Sequence, residues 1–235
     1  MIERVQKIIA NAGYSSRRKA EELIASGKVK INDRIAKLGD RADITKDNIF
    51  IDGKKLELTQ HLVYYAAYKP KGYTSTVLDP HSKLNVVDLV PKEPRVFPVG
   101  RLDKDSEGLI LLTNDGELAN ILTHPRYESE KEYNVIVSYK KDVPKNEILD
   151  KIKHLELGVK IDGKMTSPAK ITLKKVSNLI EFNIVIHEGR KRQIRRMCAA
   201  VSWNIEKLTR IRISKLDIGK LKPKEFIKIS KENII

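Results

Sequence analysis

The chain has 235 residues, of which 46 are lysine or arginine and 31 are acidic, so its formal net charge is +15 at pH 7. This length accommodates one mid-sized domain and a small one, and the charge favours a polyanionic partner. The single Cys198 excludes an intrachain disulfide framework, and the sequence has neither a signal-peptide core nor a run long enough to span a bilayer. We therefore expect a cytoplasmic protein that does not bind membranes.

Two short helices are predicted at the start of the chain. The first has apolar side chains at i, i+3, i+4 and i+7 and ends at Gly13. These side chains are Val5, Ile8, Ile9 and Ala12. The second helix is capped by either Ser15 or Ser16 and ends at Gly27. Two short strands follow it, Val29–Ile31 and Ile49–Ile51.

Three cations, Arg17, Arg18 and Lys19, fall in the first turn of the second predicted helix. There they oppose the helix dipole at about 0.3–1 kcal/mol each, unless a phosphate docks on the free backbone N–H groups beside them. A solvated basic patch is the alternative. The surrounding pattern, Ala-Gly-x-x-Ser-Arg-Arg-x-Ala-Glu-x-Leu-Ile and then Gly-x-Val-x-Ile-Asn, resembles the S-four-type RNA-binding domain. The resemblance implies a helical pair with a small sheet, in which these cations contact RNA.

A polar stretch at 56–62 is the predicted linker between two domains. It places a boundary near residue 60, so we expect a small RNA-binding module at 1–60 and a larger domain at 61–235. The larger domain opens with a β-rich run at 63–68.

Turn-forming residues divide the next part of the chain. Lys69-Pro70-Lys71-Gly72 ends the β-rich run, and Asp79-Pro80 forms a second turn before a short apolar segment at 86–90. This part of the sequence predicts little else.

The most informative stretch runs from Val99 to Gly116. The continuous apolar run at 109–112 predicts a strand buried on both faces, although periodicity alone leaves a buried helix open. Asn114 and Glu117 stand at capping-box spacing, so a helix should follow. The polar loop before the strand contains Asp103, Asp105 and Ser106. Such residues usually form only turn hydrogen bonds, but loops held by rigid elements also carry chemistry.

The string Gly-Arg-Leu-Asp, then Ser-x-Gly, then an apolar run that ends Thr-Asn-Asp-Gly resembles the signature of the ribosomal RNA pseudouridine synthases. The resemblance implies an α+β fold, with a larger catalytic domain built on a mixed, mainly antiparallel sheet flanked by helices. It makes Asp103 the catalytic carboxylate and requires no cofactor and no metal. Arg101 would fill the space that the target base leaves. The stretches at 30–41 and 116–120 look most like the large-subunit enzymes of the B type.

A second element is the alternating strand that contains Tyr133. A tyrosine on a strand is usually part of the core. The functional alternative is that its ring stacks on an unstacked base. In the resemblance, a tyrosine in this Lys-x-Tyr-x-Val context is the active-site aromatic residue, which makes Tyr133 the second predicted catalytic residue.

A third element is the basic helix predicted within 188–201. Its buried face carries Ile194, Met197, Cys198 and Val201. Arg195 lies at the edge of that face, where a guanidinium can meet a carboxylate. Geometry and resemblance both make it the partner of Asp103. The remaining cations are assigned to solvent or to RNA phosphates. They are Arg190, Lys191, Arg192 and Arg196.

The rest of the chain carries no chemical motif. Residues 144–175 predict a helix and then a strand with turns, and 208–213 and 226–229 predict two β-rich segments. Ser214-Lys215 departs from the family, in which a glycine-containing turn is common at this place.

The predicted reaction is the conversion of a uridine in ribosomal RNA, in the large subunit by resemblance, to pseudouridine. The expected partner is ribosomal RNA or a pre-ribosomal particle, and we expect a monomer. The same chemistry on small-subunit RNA and a non-catalytic RNA-binding or ribosome-assembly protein are the alternatives. A glycosidase is a weaker hypothesis because Asp105 and Asp115, the available second carboxylates, lie in no matching motif.

Overall fold

The computed structural model describes residues 1–58, 61–77, 82–140 and 143–235. The chain divides into two compact units, of which the first contains Met1–Leu62 with the short segments Glu93–Arg95 and Asn114–Gly116, and the second contains the rest. Residues 59 and 60 of the predicted linker and the turn at Asp79-Pro80 lie outside the described residues. The domain boundary near residue 60 stays a prediction.

The first unit is a helical pair with small sheets. Its helices are α1 (Val5–Asn11) and α2 (Arg17–Ala25), and its strands are β1 (Ile2–Arg4), β2 (Val29–Ile31), β3 (Arg34–Ile35), β4 (Arg41–Asp43), β5 (Ile49–Ile51) and β6 (Lys54–Lys55). Strands β1 and β4 form one antiparallel pair, and the other four form an antiparallel sheet in the order β3-β2-β5-β6. The predicted helices and both predicted strands are therefore confirmed.

Local chemistry explains why both helices lie where they do. Gly13 and Gly27 follow the two helices with φ of +77° and +72°, the left-handed conformation that ends a helix. Ser16 caps α2, since its side chain accepts a hydrogen bond from the Lys19 N–H at 3.1 Å. Of the two serines that the sequence left open, Ser16 is therefore the cap. The apolar stripe of α1 packs with Ala20 and Ile24 of α2 into one core.

The second unit is built on one large sheet. Its main strands are β7 (Tyr64–Lys69), β8 (Phe97–Val99), β9 (Glu107–Thr113), β10 (Lys131–Ser138), β13 (Lys170–Val176), β14 (Ile180–Ile186), β15 (Asn204–Ile213), β16 (Leu216–Asp217) and β17 (Phe226–Ile229). A hairpin of β11 (Lys160–Ile161) and β12 (Lys164–Met165) stands apart from it. The helices are α3 (Gly116–Thr123), α4 (Lys145–Leu157) and α5 (Gln193–Ala200).

Over the described residues, the sheet has nine strands, seven of which follow the order β13-β14-β10-β15-β9-β7-β17. Strand β16 pairs with β15, and β8 pairs with β9. Their pairings are antiparallel except that of β9 with β15, where Glu107 and Gly108 lie opposite Thr209 and Arg210. The predicted α+β class with a mixed, mainly antiparallel sheet is confirmed.

Strand β9 is buried on both faces, as its apolar run predicts. Leu109 and Leu111 pack with Leu118 and Leu122 of α3 on one face. On the other face, Ile110 and Leu112 pack with side chains of β7 and of the segment at 86–96, in a second cluster. Helix α3 begins at Gly116, two residues after Asn114.

Helix α5 covers the half of the sheet formed by β10, β14 and β15. Ile194, Met197 and Cys198 are buried there with Phe182 and Trp203. Burial raises the pKa of the Cys198 thiol to about 12, so this cysteine is a packing residue. The helix begins at Gln193, and the basic residues Arg190, Lys191 and Arg192 therefore precede it rather than lie on its face.

Two short segments of the second unit form turns. The apolar segment at 86–90 forms a short 3-10 turn over Val86–Leu89. Ser214, at the place where the family commonly has a glycine-containing turn, adopts φ of +50° in a two-residue connection between β15 and β16. Its N–H donates to the Glu130 carbonyl at 2.9 Å, which helps to hold this turn. Among the helices of the described ranges, none is both long and apolar enough to cross a bilayer.

Candidate active site

A cleft of about 590 Å³ opens in the second unit, and three distant parts of the sequence line it. Asp103 comes from the loop before β9, Tyr133 from β10 and Arg195 from the first turn of α5. The structure thus brings all three residues that the sequence predicts to be catalytic to one cleft. Arg101, Arg190, Lys191 and Arg192 also line it.

The loop that carries Asp103 is held by hydrogen bonds on both sides of that residue. The Ser75 hydroxyl accepts from the Leu102 N–H at 3.0 Å and donates to the Leu102 carbonyl at 2.8 Å. The Ser106 N–H closes a turn by donating to the Asp103 carbonyl at 3.1 Å. The Asp103 side chain, 37 % exposed, therefore projects into the cleft from a fixed backbone.

Lys69 supports the same loop from beneath. Its side chain is fully buried, and its ammonium donates to the carbonyl oxygens of Ser106 at 2.5 Å and Pro70 at 3.1 Å. The Gly72 N–H donates to the Lys104 carbonyl at 2.7 Å. The turn Lys69-Pro70-Lys71-Gly72 therefore binds the backbone of the Asp103 loop. Burial lowers the pKa of Lys69 to about 8, although the carboxylates of Asp105 and Asp103 oppose this effect.

Gly108 allows the strand after the loop to reach its parallel neighbour. A Cβ at this position would lie 2.3 Å from the Arg210 carbonyl oxygen, and φ of Gly108 is +108°. Arg210 itself is buried and donates from Nε to the Leu109 carbonyl at 2.8 Å. The glycine of the Ser-x-Gly motif is thus required by the close approach of β15 to β9.

Tyr133 is one of the residues that line the cleft. It stands opposite Ile184 of β14 and Arg210 of β15, and 8 % of its surface is exposed. The two interpretations of this tyrosine, core residue and cleft aromatic, both describe it, since the residue is buried and its side chain lines the cleft.

The ion pairs of the cleft differ from the predicted one. Arg195 donates from one terminal nitrogen to the Asp105 carbonyl at 3.1 Å and to the Ser106 hydroxyl at 3.2 Å, and the same nitrogen lies 3.3 Å from the Asp105 carboxylate. Over the described residues, the cation within 4 Å of the Asp103 carboxylate is Arg192, at 3.8 Å. The predicted Arg195–Asp103 pair is therefore corrected. The turn at 103–106 presents Asp105, rather than Asp103, to the Arg195 guanidinium.

Arg192 also binds Asp105 with both ends of its guanidinium. The two distances are 3.1 and 3.0 Å, a bidentate arrangement. Burial would raise the pKa of the Asp105 carboxyl, but Arg192 and Arg195 outweigh it and hold this pKa below its usual range. Sequence reasoning missed this pairing, because Arg192 is aimed by its left-handed backbone, with φ of +53° at the N-cap of α5.

Two further cations that were predicted to bind phosphates also have partners within the protein. Arg190 pairs with Glu188 and donates to the Lys164 and Met165 carbonyl oxygens of the β11–β12 hairpin. Arg196 pairs with Asp162 of the same hairpin. Lys191 is exposed at the cleft. The structure therefore leaves Lys191 more accessible to RNA than Arg190 or Arg196.

Residues 63–200, more than half of the chain, match the family described as RNA pseudouridylate synthase. The chain belongs to this family. The predicted family and enzyme class are thus confirmed, and this synthase also carries a match to the S4 domain over residues 3–49.

Known relatives resemble the synthase over most of its length. The ribosomal large subunit pseudouridine synthase B of Bacillus subtilis is 44% identical over 216 residues, which cover 89% of this chain and 84% of the relative. The protein of the same name from Yersinia pestis is 37% identical, with 95% and 71% covered. A solved pseudouridylate synthase crystal structure matches with a TM-score of 0.66 and 27% identity, and covers 97% of this chain and 96% of that one.

The S4 domain of the synthase carries the amino-terminal cations. Arg17, Arg18 and Lys19 are exposed in the first turn of α2, as predicted. Lys19 pairs with Glu22 at 2.8 Å, and both of these side chains are exposed. This exposed pair is weak, so it leaves Lys19 available to another anion. Across the described ranges, no cluster of histidine, cysteine and acidic side chains could hold a metal ion.

Proposed function

We propose that this synthase converts a uridine of large-subunit ribosomal RNA to pseudouridine, with Asp103 as its catalytic carboxylate. The observation that carries the proposal is the meeting of Asp103, Tyr133 and Arg195 in one basic cleft of about 590 Å³. The names of the relatives from Bacillus subtilis and Yersinia pestis support the choice of the large subunit.

The reaction exchanges one bond of the ribose for another. The bond from the sugar C1′ to N1 of uracil breaks, the base turns, and C1′ joins C5. The hydrogen on C5 is lost and N1 gains one, so the product is an isomer and no electrons are exchanged with a cofactor. The Asp103 carboxylate serves either by attack on the sugar carbon or by abstraction of a proton, and both alternatives stay open.

The surroundings of Asp103 suit either role. Its carboxylate is partly exposed, and its nearest cation, Arg192, stands at 3.8 Å and leaves the oxygens accessible. Arg195 acts indirectly in this proposal, by holding the turn through Ser106 and the backbone of Asp105. This turn fixes the position from which the Asp103 carboxylate meets the sugar.

The uridine must first leave its stack, at a cost of a few kcal/mol. Stacking on Tyr133 offsets part of this cost, since an aromatic face at a base is worth about 1–3 kcal/mol. Arg101, exposed at the edge of the cleft, would occupy the space that the base vacates.

The remaining RNA contacts come from both parts of the chain. We assign RNA phosphates to Arg17, Arg18 and Lys19 in a module at 1–60, and to Lys191 and Arg192 in a catalytic domain at 61–235. The predicted contacts of Arg190, Arg192 and Arg196 require exchange of their present partners within the protein. The protein is proposed to act as a cytoplasmic monomer on ribosomal RNA or a pre-ribosomal particle.

The test replaces Asp103 with asparagine. Asp103→Asn keeps the size of the side chain and removes its charge, so we expect pseudouridine formation in a large-subunit RNA transcript to fall at least about 1,000-fold. Binding of the transcript should persist. The control Asp150→Asn neutralises an exposed carboxylate on α4 and should retain full activity.

Three results would decide against parts of the proposal. Full activity in Asp103→Asn would remove Asp103 from the chemistry. Product in a small-subunit transcript alone would move the substrate to that subunit. Tight binding without product in either transcript would favour the ribosome-assembly alternative.

A further inference from the structure

Asp105 stands between two cations, Arg192 and Arg195, that line the cleft. Its carboxylate accepts from both terminal nitrogens of Arg192, at 3.1 and 3.0 Å, and lies 3.3 Å from Arg195. Arg192 is the N-cap of α5, and Arg195 lies in its first turn. The carboxylate thus lies between two groups that bind anions, the guanidinium fork of Arg192 and the guanidinium of Arg195.

A phosphate group would satisfy the same donors. Arginine binds carboxylates and phosphates with the same parallel pair of N–H groups. The position that Asp105 fills therefore has the chemistry of a phosphodiester site, in a cleft where an RNA substrate must place its backbone.

The two partners can separate without disturbing the core. The side chains of Arg192 and Asp105 are 43 % and 48 % exposed, and an exposed ion pair contributes only about 0.2–1 kcal/mol. Arg195 is held independently, since it also binds the Asp105 carbonyl and the Ser106 hydroxyl. Release of Arg192 thus leaves the Asp103 loop in place.

We propose that Asp105 is a positioning residue that occupies, in the free protein, the site on Arg192 which a phosphate of the RNA takes when the substrate binds. This inference rests on the proposed function and deepens it by naming a phosphate site. Until RNA binds, Asp105 holds Arg192 beside Asp103 and offsets its charge. An RNA that fits poorly must therefore displace the Asp105 carboxylate before its phosphate can bind Arg192.

The test is a double-mutant cycle on RNA affinity, with a large-subunit RNA transcript as the probe. Asp105→Asn frees Arg192, so we expect the dissociation constant to fall about two- to fivefold. In an Arg192→Gln background the same Asp105→Asn change should have a much smaller effect, because the released donor is absent and Arg195 keeps its contacts with the Asp105 carbonyl and the Ser106 hydroxyl. Asp105→Ser should repeat the result, and thermal unfolding of each variant checks that it is folded.

A matched control exists on α4. Glu147→Gln releases Lys151, which lies 3.0 Å away, in the way that Asp105→Asn releases Arg192, but Lys151 does not line the cleft and is not assigned to RNA. We expect no change of affinity from it. An unchanged affinity in Asp105→Asn would overturn the inference, and so would an equal gain in the Arg192→Gln background. Pseudouridine formation by the unaltered protein is measured alongside, so that loss of the proposed function is seen separately as missing product.

Discussion

Lys69 illustrates how one buried charge can hold the loop that carries Asp103. Its ammonium donates to the Ser106 and Pro70 carbonyl oxygens, and the carboxylates nearest to it are not within ion-pair distance in the described structure. Burial penalises the charged form, and the pKa of Lys69 falls to about 8. The charge is retained at neutral pH because the two carbonyl oxygens and the more distant acidic groups compensate part of the penalty.

This burial predicts a pH dependence of stability. The native lysine loses its proton near pH 8, whereas the unfolded one keeps it to about pH 10.4. Between these values the unfolded state binds more protons, so the unfolding free energy should rise with pH, by roughly 1–3 kcal/mol. Denaturant titrations between pH 7 and 10.5 measure this rise.

The contribution of Lys69 is isolated by two variants. In Lys69→Met the part of the rise in unfolding free energy that comes from Lys69 should be absent. Lys71→Met, which removes an exposed lysine of the same turn, should show the full rise. Identical pH profiles for unaltered protein and Lys69→Met would contradict this account.

At the scale of residues, the sequence predicted which side chains line the cleft better than it predicted how they pair with one another. Asp103 and Tyr133 were predictable because each stands in a local string with its own pattern. Arg195 was placed in the cleft but with the wrong carboxylate. A turn decides whether Asp103 or Asp105 faces the helix, and one dihedral angle at Arg192 aims a side chain across 87 residues of sequence. No spacing rule contains that information.

At the scale of elements, α2 shows how little holds the surface that is proposed to meet RNA. The helix has nine residues, no acidic side chain in its first turn and three cations there. The Ser16 cap opposes this unfavourable dipole interaction by accepting from the Lys19 N–H. The helix begins at Arg17 because this cap outweighs the repulsion.

Removal of the cap should therefore destabilise the first unit. We expect Ser16→Ala to lower its unfolding free energy by about 1 kcal/mol. Ser15→Ala is the matched control, since the Ser15 hydroxyl donates only to the Ser16 carbonyl at 3.3 Å among the described contacts. Chemical denaturation followed by helical circular dichroism compares the two, and equal losses would argue against the cap.

The helices and strands themselves were largely predictable from the sequence, but the pairing of the strands within the sheet was not. The apolar run of β9 and the stripes of α1 and α5 follow from periodicity. The parallel contact of β9 with β15, by contrast, places Gly108 opposite Arg210. The sequence of neither segment indicates that the other is its partner. The glycine is the one sequence feature that this contact requires.

At the scale of the whole molecule, a net charge of +15 implies that salt controls RNA binding. Each cation that neutralises a phosphate contributes about 0.7–0.9 to the slope of log affinity against log salt. If all three amino-terminal cations contact phosphates, their combined share is about 2–3. A change of this size in the salt slope distinguishes direct phosphate contacts of these three cations from the effect of the protein's net charge.

Replacement of Arg17, Arg18 and Lys19 by glutamine should reduce the salt slope by up to that amount. We expect a higher KM for RNA and an unchanged kcat, since none of these residues belongs to the cleft. Lys28, Lys37 and Lys46 are exposed in the same unit and supply a control triple with the same loss of charge. Equal slopes for both triples would mean that only net charge matters.

The order of strands in the large sheet constrains when the enzyme can begin to work. Strand β9, which follows the Asp103 loop, lies between β7 and β15, and β7 in turn pairs with β17. While the chain is being translated, β7 emerges before the loop, but β15 and β17 emerge about a hundred or more residues after it. A nascent synthase therefore cannot complete the cleft around Asp103 until β15 has been translated, so nearly the whole chain must be made before the proposed catalytic centre can form.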